Sequence, residues 1–150
     1  MSAYGSLARP TSHREKERLA SRIFRLRPKS VDKSIPPSPW THVSTHHLTL
    51  ENAPADLVGT MYTEFAAELE RDDGRTYPQE PPMSRSEFEA YFFASDVIVG
   101  IGEERPKDGI EDGKELEKEG GIDALLTAKG DRDWSEVIAG FYYVRRFPAF

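Results

Sequence analysis

The stretch Leu57-Val58-Gly59-Thr60-Met61-Tyr62-Thr63-Glu64-Phe65-Ala66-Ala67-Glu68-Leu69, with its continuation to Tyr91, decides the fold. Leu57, Val58, Met61, Tyr62, Phe65, Ala66 and Leu69 recur at helical spacing and make one apolar stripe. Thr60, Glu64 and Glu68 fall on the other side. Asp56 stands where the first free N–H groups need an acceptor. Arg71 and Gly74 suit a helix end. A second helix starts at Ser84-Arg85-Ser86-Glu87, a capping box, with Met83 and Phe88 spaced as a hydrophobic staple. Phe88, Tyr91 and Phe92 then share one face. Between the helices lies Arg75-Thr76-Tyr77-Pro78-Gln79-Glu80-Pro81-Pro82. Its prolines fix φ and remove N–H donors, so the loop is expected to hold one shape and to present Arg75, Thr76 and Tyr77.

Outward from this helical pair, strands are expected on both sides. Trp40 to Leu50 alternates His46, Leu48 and Leu50 with Thr45, His47 and Thr49, the pattern of a first strand. Asp96-Val97-Ile98-Val99-Gly100-Ile101-Gly102 is a short branched apolar run that suits a buried strand. Trp134 to Val144 is rich in β-formers, and Gly140 within it marks a bulge or a close approach. Such an apolar last strand invites pairing along its other edge. The expected class is therefore α+β, with about three antiparallel strands and two helices over residues 40–150.

The remainder looks less structured. Residues 1–39 carry nine Lys/Arg against three Asp/Glu, a net +6, while the rest carries eleven against twenty-three, a net −12. Their end, Ser34-Ile35-Pro36-Pro37-Ser38-Pro39, has the composition of an extended linker. A disordered basic tail over 1–39 is the expectation. Within it Arg14 to Leu26 could form a short basic helix with Leu19, Ile23 and Leu26 on one side. Glu15 and Glu17 speak against a mitochondrial presequence. Glu103 to Asp133 holds eleven acidic and six basic residues with several glycines, and is expected to be an acidic loop between neighbouring strands.

Composition narrows the chemistry. The chain has no cysteine, which excludes disulfides, zinc–thiolate sites and a cysteine nucleophile, and fits an intracellular place, cytoplasmic or nuclear. No apolar run reaches the length of a membrane span, and the acidic body is a poor nucleic-acid binder. His42, His46 and His47 raise the question of a metal. Alternation puts His46 and His47 on opposite faces of a strand, where one ion cannot be shared easily. Gly100-x-Gly102 lacks a third glycine and a following helix, so it is no dinucleotide loop. Asp108, Glu111 and Asp112 lack the ligand spacing of a calcium loop.

Thr76-Tyr77-Pro78-Gln79-Glu80, Phe88-Glu89-Ala90-Tyr91-Phe92 and Ala139-Gly140-Phe141-Tyr142-Tyr143-Val144 come in the order strand, helix, prolyl loop, helix, strand, strand. In this the chain resembles the N-terminal half of fungal GNAT-type N-acetyltransferases over roughly residues 43–145. That family has a Thr-Tyr-Pro loop between its first helices and a Gly-x-(Phe/Tyr)-Tyr third strand. The resemblance implies a partial GNAT-like fold and acetyl transfer from acetyl-CoA to a small amine or amino-acid-like substrate. It implies that Arg75, Thr76 and Tyr77 line the acceptor side. The alternative for these residues is structural: Tyr77 packed between the helices, Arg75 capping the first.

The family binds acetyl-CoA after its fourth strand, at a Gln/Arg-x-x-Gly-x-Gly/Ala turn, and no such turn occurs here. The segments carrying the family's general base and acid are unmatched as well. The expectation is a truncated, inactive acceptor-side half, with no catalytic residue assigned. The alternative is a small non-enzymatic interaction module that docks a partner, or a second copy, through its C-terminal strand edge.

Overall fold

The computed structural model describes residues 19–27, 39–72, 75, 81–105, 110–117 and 122–144. Among them are five strands and four helices: β1 (Ser21–Arg25), β2 (His42–Leu48), α1 (Ala55–Asp72), α2 (Arg85–Phe92), β3 (Asp96–Glu103), β4 (Lys114–Glu117), α3 (Asp123–Lys129), α4 (Trp134–Val137) and β5 (Ile138–Val144). The class is α+β. The strands form one antiparallel sheet in the order β4-β1-β2-β3-β5. The chain divides into two compact units, each built from separate stretches. A helical unit comprises Leu48–Val97 with the end of β5 from Tyr142. A sheet unit comprises residues 19–47 with Ile98–Phe141.

The helical unit follows its stripe. Leu57, Val58, Met61, Phe65 and Leu69 of α1 are buried, as are Met83, Phe88, Phe92 and Phe93 around α2. Phe88 is the hub. Its ring centroid lies 5.9 Å from Tyr62, 5.5 Å from Phe65, 5.1 Å from Phe92 and 6.5 Å from Phe93. These are tilted and edge-on contacts that add to simple burial. The capping box forms: Ser84 Oγ accepts from Glu87 N–H at 3.2 Å, and Glu87 Oε2 accepts from Ser84 N–H at 2.7 Å.

The sheet unit corrects four expectations. The first is the tail. Ser21–Arg25 is a strand with Ser21 and Ile23 buried, and it lies between β4 and β2. Ile23 stands opposite Ser44, and Arg25 opposite His42. Leu19, Ile23 and Leu26 sit at helical spacing, but Ser21 and Ile23 also alternate with exposed neighbours, and pairing on both edges favours the strand. Residues 1–18 and 28–38 of the expected tail lie outside the described residues.

The second correction is the acidic loop, which contains β4 and α3. Gly113, at φ +80°, turns the chain, and its N–H donates to Ile23 O at 2.7 Å. Arg22 then pairs with Glu115 at 2.6 Å, so the charges of β4 are those of an outer strand. α3 buries Leu125 and Ala128 and stops at Gly130, at φ +60°. Arg132 donates to the carbonyls of Ala128 at 2.6 Å and Lys129 at 3.1 Å, completing that end.

Third, Trp134–Val137 is a helical turn and not the start of the last strand. Asp133 and Glu136 close a capping box across it, and Trp134 and Val137 are buried. Fourth, the close approach belongs to Gly102 and not to Gly140. A Cβ at Gly102 would lie 2.0 Å from Trp40 Cδ2, whereas one at Gly140 would meet nothing within 4 Å.

Candidate functional site

The residues that follow the loop expected to face a substrate are tied back to α1. On one side α1 carries Tyr62, whose hydroxyl donates to the Met83 carbonyl at 2.7 Å. On the other, the first turn of α2 carries Arg85. Its guanidinium donates to the Ala55 carbonyl at 2.8 Å and to Glu89 at 3.1 Å. That guanidinium also lies against Gly59, where an added Cβ would come within 3.2 Å of it. The two helices are thus tied at positions that bracket the prolyl corner, whose Pro81–Pro82 peptide is cis. Arg75 is exposed. Thr76 and Tyr77 lie outside the described residues.

A second polar feature of this unit was missed in the sequence. Tyr91 of α2 and Tyr143 of β5 meet hydroxyl to hydroxyl at 2.6 Å, with ring centroids 5.4 Å apart and edge-on. Phe92 lies 5.0 Å from Tyr143 and backs the pair. Both tyrosines are half-buried. Each thus buries a ring while its polar tip finds a partner, as amphipathic aromatics do. The signal was present, since Tyr143 belongs to the Gly-Phe-Tyr-Tyr run and Tyr91 to the α2 face. What was missing was the pairing of a helix with the end of a strand 52 residues away.

The three strand histidines are placed in the sheet unit. His46 is buried and bridges two hydroxyls: Ser21 Oγ at 2.9 Å from Nδ1, across the strand pair, and Ser44 Oγ at 2.8 Å from Nε2. Burial lowers its pKa from the ordinary 6.5 to about 4, so the ring is neutral near pH 7. Both serines are buried too, which closes this Ser–His–Ser chain to a substrate. His47 Nδ1 accepts from Leu19 N–H at 3.0 Å, and His42 Nδ1 lies 2.8 Å from Thr41 Oγ1. Among the described residues no group of three or more His, Asp or Glu is placed to hold a metal ion.

Glu103 ends β3. Its Oε1 takes both the Nη2 and the Nε of Arg105, at 2.8 and 3.1 Å, while Oε2 is enclosed and has no partner among the described residues. Thr41, whose N–H donates to Glu103 O at 2.9 Å, ties the same corner to β2. An enclosed carboxylate with a single arginine partner serves the fold more readily than a ligand.

No family model, no curated protein and no solved structure matches the chain. No described helix is long and apolar enough to cross a membrane.

The described residues do not fit acetyl-CoA. At the N-terminus of α2 the capping box already takes the N–H groups of Ser84 and Glu87, and the Glu87 carboxylate stands where a pyrophosphate would need positive charge. α3, with Ile122 at its N-cap, has no side-chain cap and only seven residues. Among the described residues the glycines at positive φ are Gly113, which turns into a strand, and Gly130, which ends a helix.

Proposed function

We propose that the chain is the acceptor-side part of a GNAT-like N-acetyltransferase, the part that receives the amine to be acetylated. The observation that supports this reading is the order β2-α1-α2-β3, followed after β4, α3 and α4 by β5, with β2, β3 and β5 adjacent in the sheet and α1 and α2 tied through Tyr62 and Arg85. The sequence resemblance implies strand, helix, helix, strand, strand, without the β1, β4, α3 and α4 that this chain adds. Contact of Tyr143, from the Gly-Phe-Tyr-Tyr strand, with Tyr91 and Phe92 also supports the reading.

On this reading Arg75, Thr76 and Tyr77 contact a small amine or amino-acid-like acceptor. The protein's own contribution is to bind and orient it through these three residues. No proton-removing residue is assigned, and no step runs through acetyl-CoA, which the described residues do not fit. Isothermal calorimetry of the purified 150-residue chain is expected to detect no micromolar acetyl-CoA binding. A micromolar Kd would overturn the statement that this part holds the acceptor side alone. Sequencing the transcript past the Phe150 codon tests the family reading: a Gly-rich turn opening a helix downstream supports it, and an immediate stop codon counts against it.

A second reading rests on β5. It is the terminal strand of the sheet order, and Tyr142 and Val144 on it are exposed. An apolar strand at that place can add a strand from a partner or a second copy. Sedimentation velocity separates the two readings. A concentration-dependent dimer abolished by Tyr142→Lys favours docking through β5, and a monomer at all concentrations favours the acetyltransferase reading.

A further inference from the structure

Where β1 runs out, an open surface pocket of about 390 Å³ has Arg25, Leu26, Arg27 and Asp112 as its lining among the described residues. That is far more than the roughly 30 Å³ one water takes up in the liquid, so the space suits a small organic molecule better than a lone ion. Its backbone frame is fixed. Arg25 N–H donates to Asp112 Oδ1 at 2.8 Å, and Leu26 N–H to the Thr41 carbonyl at 2.9 Å. Gly113, next to Asp112, anchors the turn to Ile23.

The charges around it are not spent on one another. Arg22 of the same strand is committed to Glu115 and to the Gly113 carbonyl. The guanidiniums of Arg25 and Arg27, by contrast, have no ion pair among the described residues. Asp112 has one oxygen on the Arg25 N–H and its other oxygen available as an acceptor. A bare anion would gain from the two guanidiniums but be opposed by Asp112. A bare cation would meet the reverse. A ligand carrying both signs uses all three groups, and Leu26 offers an aliphatic wall.

We propose that this cavity binds a small zwitterion of the amino-acid class, its carboxylate on Arg25 and Arg27, its ammonium on Asp112 and its side chain against Leu26. The described residues of the site belong to the sheet unit, and the proposal stands whether or not the acetyltransferase reading holds.

Amide-resolved NMR titration of the full chain with L-leucine tests it. Saturable shifts at Arg25, Leu26, Arg27 and Asp112 are expected. Leucinamide, which lacks the carboxylate, and 4-methylpentanoate, which lacks the ammonium, should each bind about tenfold more weakly or worse. Arg27→Gln should weaken leucine by a similar factor. Asp112→Asn keeps the acceptor for Arg25 N–H, so it should leave the spectrum otherwise native while weakening leucine and not 4-methylpentanoate. The proposal fails if leucine gives no saturable shift in the millimolar range. It also fails if inorganic phosphate binds better than leucine, or if Asp112→Asn leaves leucine affinity unchanged, since each outcome makes this a plain anion site or no site.

Discussion

At Gly102 the chain has no room for a methyl group. Three atoms of the Trp40 indole would lie 2.0, 2.2 and 2.6 Å from an added Cβ, inside any van der Waals contact. Trp40 is only half-buried, so it can swing aside, but that gives up the ring's seat on β3. Gly102→Ala is expected to cost about 1–3 kcal/mol, the usual range for overpacking, and to red-shift tryptophan emission as Trp40 becomes wetter. Urea unfolding read by fluorescence measures both. His46 gives a second prediction of this scale. Its folded pKa is near 4 and its unfolded value near 6.5, so between those pH values the unfolded chain binds the extra proton. Stability is then full above about pH 6.5 and falls as the pH drops toward 4, by at most about 3 kcal/mol. Unfolding free energies measured from pH 7 to pH 4 should show this slope in the native protein and a shallower one in His46→Gln. Equal slopes would assign the acid sensitivity elsewhere. Neither residue's role was legible in the sequence. A glycine shows its need for space only when its cross-strand neighbour is known, and a histidine its burial only when the sheet is assembled.

Among elements, those with a complete local code were legible. α2 announces itself by Ser84 and Glu87, and the same two residues cap it in the structure. Ser84→Ala should cost about 1 kcal/mol, the ordinary worth of a cap. Glu87→Ala should cost less when introduced after Ser84→Ala than before it, because the two side chains work as one box. Thermal unfolding of the four chains of this double-mutant cycle tests the coupling. α1 was legible from its stripe and β3 from its branched run. α4 was written in the same code as α2, Asp133 and Glu136 bracketing Trp134, but the β-forming residues after it dominate the window. β4 failed for another reason. Lys114-Glu115-Leu116-Glu117 carries charge because it is an outer strand, and charge is what a solvated loop carries as well. Of the loop proposed to meet an acceptor, the sequence offered three residues, and of these Arg75 is described and exposed. The phenol pair of Tyr91 and Tyr143 needed two distant elements to be seen together.

For the molecule as a whole, β1 matters most, because a stretch that composition assigns to a tail sits inside the sheet. It has β4 on one side and β2 on the other, so its loss would strip one long edge of β2 and leave β4 with no partner in the sheet. Ile23 is fully buried, and Ser21 supplies one of the two hydroxyls on His46. Leu19 N–H satisfies His47. A chain starting at Pro39 would therefore lose a core side chain and leave buried histidine nitrogens unpaired, each a loss of about 1–3 kcal/mol. It would also bare a strand edge, which favours association with other copies. Set against the 5–15 kcal/mol that holds a typical domain together, these losses together are enough to abolish cooperative folding. The shortened chain is expected to show no sharp thermal transition and to elute as aggregate from a sizing column, whereas the full chain melts cooperatively. Were residues 1–38 a dispensable tail, the shortened chain would melt within about 2–4 °C of the full one, the shift that 1 kcal/mol makes at this size. That result would remove β1 from the sheet and, with it, the frame of the cavity at Arg25 and Arg27.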